Sequence, residues 1–554
     1  MLTLLLACKH TPAPAPQPVL LPIAAVNDWH GALYEQPVRD AAERVAGGLP
    51  WLVGTMDAIR AQHSDLVVLD GGDIFQGSWP INASKGAGAI AAYALLGVDA
   101  AAIGNHEFDY GGTGTHPLRG ALMDAASAAP FAWLAANITE ADGTPWAPPG
   151  ITATTIIERG GVRLGVIGLS TTETPQTTLP RNVADLRFTD PVAAVQAALP
   201  ALAGVDAIAV VGHLSGSCSP PDFSTPDEGC RPDGEIGRLL DTLPPGTIDV
   251  MVLGHAHTLL SNRVDDTFIL ESRSKGRMIG RVDLMIGPDG VDADASILHS
   301  PVTITHTPTE PGCTDTAFVS APQRIGGMTV TPSTRALALV EHLEEQAGSL
   351  CDELGCVAEP LTRSRTQGSA VGHFTADAML AVAPQADLAV TNSGGLRSDV
   401  PAGTLRREHL QAVMPFDNRL VVLELSGAQV MTLMRLGSSG GHGVLQLAGG
   451  RYGYDPERTE GSDLDGDGAV AEWERDRLCF VEIAGQPVRT DQTYTVVTTD
   501  FLYDGGDHLG PALSGATILE RGPLLREALF DHAAAQDACI EADDDVRIVL
   551  GSCD

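Results

Sequence analysis

Residues 20 to about 310 alternate short apolar runs with segments that have the polar–apolar pattern of helices. Each run is short, rich in Val, Ile, Leu and Ala, and stopped by Gly or a polar cluster, which predicts a strand. The six clearest runs are VLLPIAAVND, DLVVLDGGD, AAAIGNHEFD, RLGVIGLS, DAIAVVGHLSG and IDVMVLGHAH. Asp, Asn and His side chains stand at the ends of these runs. Because ligands of open α/β sheets bind at the carboxyl ends of the strands, we expect these side chains to converge.

A second α/β pattern covers residues 351–554, with ADLAVTNSGGLR, RLVVLELSG and TYTVVTTDFLYDGGD as strand regions. Between the two patterns, residues 311–350 are first Pro/Thr-rich and then predict a helix, with Ser333 as its N-cap and Gly348 as its stop. A chain of 554 residues exceeds what one core serves. We therefore predict a leader and tether over 1–19, a first domain over 20–310, a linker with a helix over 311–350 and a second domain over 351–554.

The composition restricts the partners. With 44% hydrophobic and 19% charged residues the chain is expected to fold, and its formal charge of −36 disfavours nucleic acid polymers and anionic surfaces. A small anionic substrate stays compatible with this charge, because bound metal ions reverse the local field. We expect a monomer.

The first residues, MLTLLLACKHTPAPAPQP, place an apolar run directly before Cys8 and a Pro/Ala-rich tether after it. This resembles the end of a bacterial lipoprotein signal, although Leu6 is bulky for its position and no basic residue precedes the run. We expect an exported protein, periplasmic or at the outer membrane or cell surface, attached through a lipidated Cys8; the alternative is an unmodified terminus. No later stretch is long and apolar enough to span a bilayer.

Nine cysteines suggest disulfides in an oxidising compartment. Cys218/Cys230 and Cys539/Cys553 are close pairs in polar surroundings without metal-type spacing, and Cys351/Cys356 is a third candidate pair. Cys313 and Cys479 remain, and the connectivity is open.

Five clusters carry side chains that bind metals: D-x-H, G-D, G-N-H-E, G-H and G-H-x-H. They place Asp28, His30, Asp73, Asn105, His213, His255 and His257 at predicted strand ends. Any one of them has an ordinary explanation as a turn or structural residue, as we conclude for Asp70. Together they supply enough imidazole and carboxylate ligands for two divalent ions.

In this order the clusters resemble the calcineurin-like metallophosphoesterases, and specifically the 5′-nucleotidase/UDP-sugar hydrolase family, over nearly the whole chain after residue 20. The resemblance implies an α/β fold: an N-terminal β-sandwich flanked by helices (αββα) and a separate C-terminal α/β substrate-binding domain. It implies that Asp28, His30 and His257 hold one metal, that Asn105, His213 and His255 hold a second, and that Asp73 bridges them. Zinc or manganese are the expected ions, and the same ligands accept iron or cobalt.

The chemistry that the resemblance implies is hydrolysis of a phosphate ester. Two cations about 4 Å apart clamp a phosphate and activate a water for in-line attack. His106 is the implied catalytic residue beside the transferring phosphoryl group, and Asp109 orients it. The alternative for this dyad is a support pair outside the reaction.

The C-terminal half resembles the family's substrate-binding segments. TNSGGLR is similar to the family's N-G-G-G-I-R loop, with Ser393 in place of a glycine, and implies Asn392, Gly395 and Arg397 as substrate-binding residues. PFDN and FLYDGGD imply that Phe416 and Phe501 sandwich the base and that Asp507 accepts from the ribose. Arg365 matches a phosphate-binding arginine, although the following GSAVGH lacks the usual E-x-N.

An inserted segment over 463–474, DLDGDGAVAEWE, matches the calcium-loop pattern D-x-D-x-D-G-x₅-E. It predicts calcium binding by Asp463, Asp465, Asp467, the carbonyl of Ala469 and Glu474. Its expected role is to brace a loop near the substrate domain.

The predicted function is hydrolysis of nucleoside 5′-phosphates. The first alternative keeps the chemistry and changes the substrate to a UDP-sugar, a 2′,3′-cyclic nucleotide or another ester. The family resemblance also extends to thiosulfohydrolases, but the paired Phe residues and Asp507 favour a nucleoside. The second alternative is a non-catalytic, surface-anchored binding protein.

Overall fold

The computed structural model describes residues 17–38, 44–217, 232–288, 290–308, 321–347, 350–464, 469–543, 545–551 and 553. All six predicted strands are present: Val19–Val26, Val67–Asp70, Ala100–Ala102, Val162–Ser170, Ala207–Leu214 and Val250–His255. Within the described ranges, none of the helices has both the length and the apolar character needed to cross a bilayer.

The N-terminal domain contains two mixed sheets. The first has seven strands in the spatial order Gly290–Thr303, Met278–Gly287, Val19–Val26, Val67–Asp70, Ala100–Ala102, Ala132–Leu134 and Ile151–Thr152. The second has six, in the order Leu259–Val264, Thr267–Ser272, Val250–His255, Ala207–Leu214, Val162–Ser170 and Thr154–Arg159. The six predicted strands are therefore divided equally between two sheets.

The sheets pack face to face because their strands are apolar on both sides. Along Val19–Val26, Leu21, Ile23 and Ala25 pack between the sheets. Ala24 and Val26 face an outer layer of helices. Helices also cover the outer face of the second sheet, which confirms the αββα sandwich. The helices over the two faces are Leu49–Arg60, Trp79–Ala83, Ala87–Leu96, Gly120–Ala128, Pro191–Ala198 and Gly234–Thr242.

The predicted linker helix spans Thr334–Ala347, and the Ser333 hydroxyl accepts from the Ala336 amide at its start. Its residues Ala336, Val340 and Leu343 are buried in the helical layer of the first domain. The helix thus packs as part of that domain.

The C-terminal domain is built on a five-stranded sheet in the order Leu445–Ala448, Leu388–Asn392, Thr493–Thr499, Arg419–Ser426 and Thr517–Leu524. Separate hydrophobic cores cover its two faces. The longer helices are Ala370–Val382, Arg407–Val413, Gly427–Gly437 and Leu525–Ala534. A four-stranded sheet of Gln486–Pro487, Leu478–Ile483, Gly450–Tyr454 and Ile548–Leu550 lies beside them.

Two disulfides differ from the sequence prediction. Cys539 bonds to Cys356 and Cys553 bonds to Cys479, so the pairs Cys539/Cys553 and Cys351/Cys356 are wrong. The bonds join residues 183 and 74 positions apart. Proximity along the chain was the wrong guide, because the partners meet only through packing of the C-terminal domain. Cys218, Cys230 and Cys313 lie outside the described residues.

Candidate active site

The seven predicted metal ligands converge at one edge of the sandwich. Asp28, His30, Asp73 and Asn105 follow strands of the first sheet, whereas His213, His255 and His257 lie at the ends of two strands of the second. Because the two sheets pack with these ends on the same side, the side chains meet across the sandwich. Three groups could hold a metal ion by the spacing of their ligand atoms: Asp28–His30–His257, His30–Asp73–His106 and Asp28–Asp73–His213.

The backbone at this edge is strained. Five of the seven residues have positive φ angles: Asp28 (47°), His30 (49°), Asp73 (57°), His255 (96°) and His257 (56°). Non-glycine residues rarely adopt this region, and they concentrate at functional sites, where the surrounding structure compensates for the strain.

Two glycines in the motifs make room for the ligands. A Cβ atom at Gly104 would lie 2.2 Å from Asp73 Oδ1, and one at Gly254 would lie 2.7 Å from Asp28 Oδ2. The glycines before Asn105 and His255 are therefore required by the close approach of a carboxylate.

The ligand atoms of the first group face one another closely. His30 Nε2 lies 3.0 Å from His257 Nε2 and 3.9 Å from Asp28 Oδ1. His257 Nε2 lies 3.2 Å from the same Asp28 oxygen. The other ring nitrogen of His30 donates to the carbonyl of Gln76 over 3.2 Å, which leaves Nε2 with its lone pair directed into the group.

The second group has the same construction. His213 Nδ1 donates to the carbonyl of Gly71 over 2.9 Å, and its Nε2 faces Asn105 Oδ1 at 3.0 Å and His255 Nδ1 at 3.3 Å. Asp73 lies between the two groups. Its Oδ1 accepts from the His106 amide, and its Oδ2 lies 3.2 Å from His213 Nε2 and 3.7 Å from His30 Nε2.

The donor set fits divalent ions. An ion that binds nitrogen and oxygen at about 2.0–2.2 Å separates its ligand atoms by about 3.0–3.5 Å, close to the spacings found here. Lone pairs of imidazole, carboxylate and amide groups that face one another in a buried site also need a positive charge between them.

The pKa shifts in the site are consistent with the need for a positive charge between the ligand groups. Burial raises the pKa of the Asp73 carboxyl, but His213, His106 and His30 lower that pKa well below its usual range. Burial lowers the pKa of His213, but Asp73, Asp28 and the bond to Gly71 raise it to about 10. Burial and the neighbouring His257 and His106 hold the pKa of His30 well below its usual value, so His30 is neutral, the form that binds a metal.

His106 and Asp109 form the expected dyad, with His106 Nδ1 2.6 Å from Asp109 Oδ2. Thr178 and Gln76 also donate to the Asp109 carboxylate, over 2.7 and 3.2 Å. Burial lowers the pKa of His106, but Asp109 and Asp73 more than offset burial and raise that pKa overall. The carboxylate therefore orients the ring and favours its protonated form.

Two carboxylates that the sequence analysis did not assign also contact the candidate metal site. Glu107, which is buried, accepts from the amides of Asp73, Ile74, Phe75 and Gly104 and so fixes the two loops that carry Asp73 and Asn105. Burial and Asp73 raise its pKa to about 7.

Glu173 Oε2 lies 3.3 Å from His255 Nε2, the ring nitrogen that points away from His213. The sequence feature that could have identified Glu173 is its position just past the strand Val162–Ser170. Asp70 instead accepts from Gly72 and Tyr93 in the turn.

All seven predicted substrate residues line one cavity of about 930 Å³ with Asp73, Asn105, His106, His255 and His257. The substrate residues are Arg365, Asn392, Gly395, Arg397, Phe416, Phe501 and Asp507. Each metal-site residue in this cavity comes from the N-terminal domain and each predicted substrate residue from the C-terminal domain.

The domains contact each other around the cavity. The ring of Phe416 stacks on the ring of His106, with centroids 5.7 Å apart. The guanidinium of Arg397 lies over the Phe416 ring, 5.8 Å from its centroid. Asn82 donates to the Pro415 carbonyl over 2.7 Å, and Arg181 pairs with Asp500 at 3.0 Å. Among the predicted nucleoside residues, Asn392 donates to Asp507 over 2.8 Å.

The calcium loop is described only in part, since Asp465 and Asp467 lie outside the described residues, as does Cys8. The Glu474 carboxylate is buried and accepts from the amides of Leu464 and Ala471. Gly461 and Arg475 form a β-bridge at the base of the loop. Glu474 thus faces the interior of the loop, as the twelfth position of the motif requires.

Comparison with known proteins gives two family matches. Residues 21–259 match the calcineurin-like phosphoesterase model and residues 352–515 match the 5′-nucleotidase C-terminal domain. A cell wall protein of Listeria monocytogenes is 27% identical over a region that covers 88% of this chain and 64% of that protein. A trifunctional nucleotide phosphoesterase of Bacillus subtilis is 26% identical over a region that covers 88% of this chain and 32% of that protein. The chain thus covers less than two thirds of either relative. The crystal structure of a 5′-nucleotidase precursor from Thermus thermophilus has the same fold, with a TM-score of 0.74, 23% identity, and coverage of 96% of this chain and 99% of that one.

Proposed function

Because the chain belongs to the 5′-nucleotidase family, with a calcineurin-like phosphoesterase domain followed by a 5′-nucleotidase C-terminal domain, we propose that it hydrolyses nucleoside 5′-phosphates. The observation that carries this proposal is the shared cavity. Ligands for divalent ions and residues suited to a nucleoside face each other within it. The similarity to a trifunctional nucleotide phosphoesterase supports a nucleotide substrate.

In this proposal Asp28, His30 and His257 would hold one divalent ion and Asn105, His213 and His255 would hold the other. Asp73, which lies between the two groups, would contribute to both. Zinc or manganese is the expected metal for these nitrogen and oxygen ligands. When bound, the two ions neutralise charge on the phosphate and lower the pKa of the attacking water.

The chain's own catalytic residue is His106. Its Nδ1 proton is held by Asp109, so Nε2 is the atom that can donate toward the phosphoryl group or the departing oxygen. Asp109 and Asp73 raise the pKa of His106 above its usual value, which favours the protonated ring.

The C-terminal domain supplies the rest of the binding. Arg365 and Arg397 provide guanidinium groups suited to phosphate oxygens. Phe416 and Phe501 provide flat faces for the base, while Asn392, Gly395 and Asp507 provide hydrogen bonds and close backbone approach for the nucleoside.

The test is a substrate panel of AMP, UMP, UDP-glucose, a 2′,3′-cyclic nucleotide and 4-nitrophenyl phosphate, assayed with and without a chelator. We expect phosphate release from AMP or UMP that the chelator abolishes. Preference for UDP-glucose or the cyclic nucleotide would favour those alternatives on the same site. Metal-replete protein that hydrolyses no ester would favour a binding protein.

We also propose that the 463–474 loop binds calcium in a structural role, with Asp463, Asp465, Asp467, Ala469 and Glu474 as ligands. The buried Glu474 supports this assignment. Calorimetric titration of the purified protein should show one calcium site that Glu474→Gln abolishes, and heat from calcium binding that survives this substitution would disprove the assignment.

We propose export and attachment through a lipidated Cys8. The likeness to a cell wall protein and the disulfides Cys356–Cys539 and Cys479–Cys553 support an extracytoplasmic location. Mass spectrometry of the N-terminal peptide from membrane fractions should show acyl chains on Cys8, and an unmodified peptide would contradict this.

A further inference from the structure

An unusually long connection borders the candidate active site. The strands Gly450–Tyr454 and Leu478–Ile483 are antiparallel neighbours. Such neighbours can be joined by two to five residues, whereas residues 455–477 join them here. Connections longer than about 12–15 residues are uncommon, and functional loops are one of the classes in which they occur. We call residues 455–477 the insertion.

The insertion is fixed against the cavity wall through a stack of three rings. Trp473 stacks on His508 with centroids 4.2 Å apart and planes 10° apart, and His508 contacts His442 at 5.1 Å. A Cβ atom at Gly441 would lie 3.0 Å from the Trp473 Cβ, so the insertion packs tightly on that turn. His442 itself lines the cavity.

This stack adjoins the proposed nucleoside residues. His508 follows directly after Asp507, and the ring of Phe501 lies against Gly506, where a Cβ atom would be only 2.4 Å from it. Glu472, next to Trp473, lines the same cavity as Phe501 and Asp507. The insertion therefore places one carboxylate in the cavity wall, next to the ring stack that adjoins Asp507.

The charge of Glu472 limits what it can contact. Its Oε1 lies 3.3 Å from Arg477 Nη1 and 3.6 Å from Arg475 Nη1, so this oxygen is ion-paired with two guanidinium groups. A carboxylate repels a phosphate and accepts hydrogen bonds from neutral donors. A nucleotide offers such donors on the exocyclic amine of its base and on its ribose hydroxyls.

Building on the proposed nucleotide hydrolysis, we propose that Glu472 is a specificity-determining residue that accepts a hydrogen bond from a neutral donor of the nucleoside. The Glu472 side chain is 53% exposed and lines the cavity, so a nucleoside bound there can reach its carboxylate. An analogue that lacks the donor loses this hydrogen bond and binds less tightly. The two possible donors are distinguished by substrate pairs. AMP and IMP differ in the base amine, and AMP differs from 2′-deoxy-AMP and 3′-deoxy-AMP in one hydroxyl.

The experiment compares kcat/KM of wild type and Glu472→Gln on these nucleotides and on 4-nitrophenyl phosphate, at fixed calcium. Glu460→Gln is the matched control, because Glu460 lies on the same insertion with 81% of its side chain exposed. We expect Glu472→Gln to lower kcat/KM for AMP about ten-fold and to leave 4-nitrophenyl phosphate within about two-fold. A fall in the AMP/IMP ratio identifies the base amine, and a fall in an AMP/deoxy-AMP ratio identifies the hydroxyl.

The proposal is overturned if every one of these ratios stays within about two-fold of its wild-type value, whether or not overall activity falls. Equal losses on AMP and 4-nitrophenyl phosphate would likewise show a purely structural role. Thermal melting of both variants detects loss of folding. Failure of the proposed function is separate, because wild type would then release phosphate from none of the nucleotides.

Discussion

The metal-ligand edge and the nucleoside face of the cavity are built differently. The ligands Asp28, Asp73 and His213 are almost fully buried, lie at strand ends and are held by backbone contacts. On the other face, Phe501 is half-buried in the short helix Asp500–Tyr503, and Arg365 is exposed. This difference implies that the N-terminal face fixes the chemistry in one geometry, while the C-terminal face can adjust to the substrate.

The largest expected effect is at the buried edge. Asp73→Asn should lower kcat by about 10³-fold or more on AMP and 4-nitrophenyl phosphate alike, because Asp73 Oδ2 borders both ligand groups. Steady-state kinetics and metal content by mass spectrometry measure this, and melting curves check the fold. A loss confined to AMP would contradict a chemical role.

The dyad gives the next effect. His106→Ala should lower kcat about 10²–10⁴-fold with metal content retained, because it removes a proton donor and no proposed ligand. Asp109→Asn should resemble it, and the double variant should lose little more than His106→Ala, since the two residues act as one unit. Additive losses would show separate roles.

A smaller effect tests whether metal binding at the buried edge depends on a neighbouring carboxylate that contacts a proposed ligand. Glu173→Gln should weaken metal binding about 10–100-fold, because the carboxylate that accepts from His255 Nε2 is replaced. Competition with a chromogenic chelator measures the affinity, and excess metal should restore turnover. Glu158→Gln, with 78% of that side chain exposed, is the control. Unchanged affinity would exclude this positioning role.

The smallest effect sharpens the comparison on the nucleoside face. Phe501→Ala should lower kcat/KM for AMP about ten-fold through lost stacking and leave 4-nitrophenyl phosphate unchanged. Phe416→Ala should affect both substrates, because Phe416 also stacks on His106. Kinetics on the two substrates check this, and identical profiles for the two variants would contradict the distinction.

Much of the architecture followed from local sequence. Apolar runs predicted six strands, and the Ser333 cap predicted the helix Thr334–Ala347. The clusters around Asp28, Asp73, Asn105, His213 and His255 identified side chains that do converge. These predictions succeeded because each depends on residues that are close together in the chain. The features are the spacing of apolar residues, the helix cap and the polar side chains at the ends of strands.

Only the tertiary structure decided which distant residues meet. It divided the six strands between two sheets and paired Cys356 with Cys539. It also brought Glu173 to His255 and Trp473 to His508. Sequence spacing carries no information on these contacts, because each is created by the packing of elements far apart in the chain.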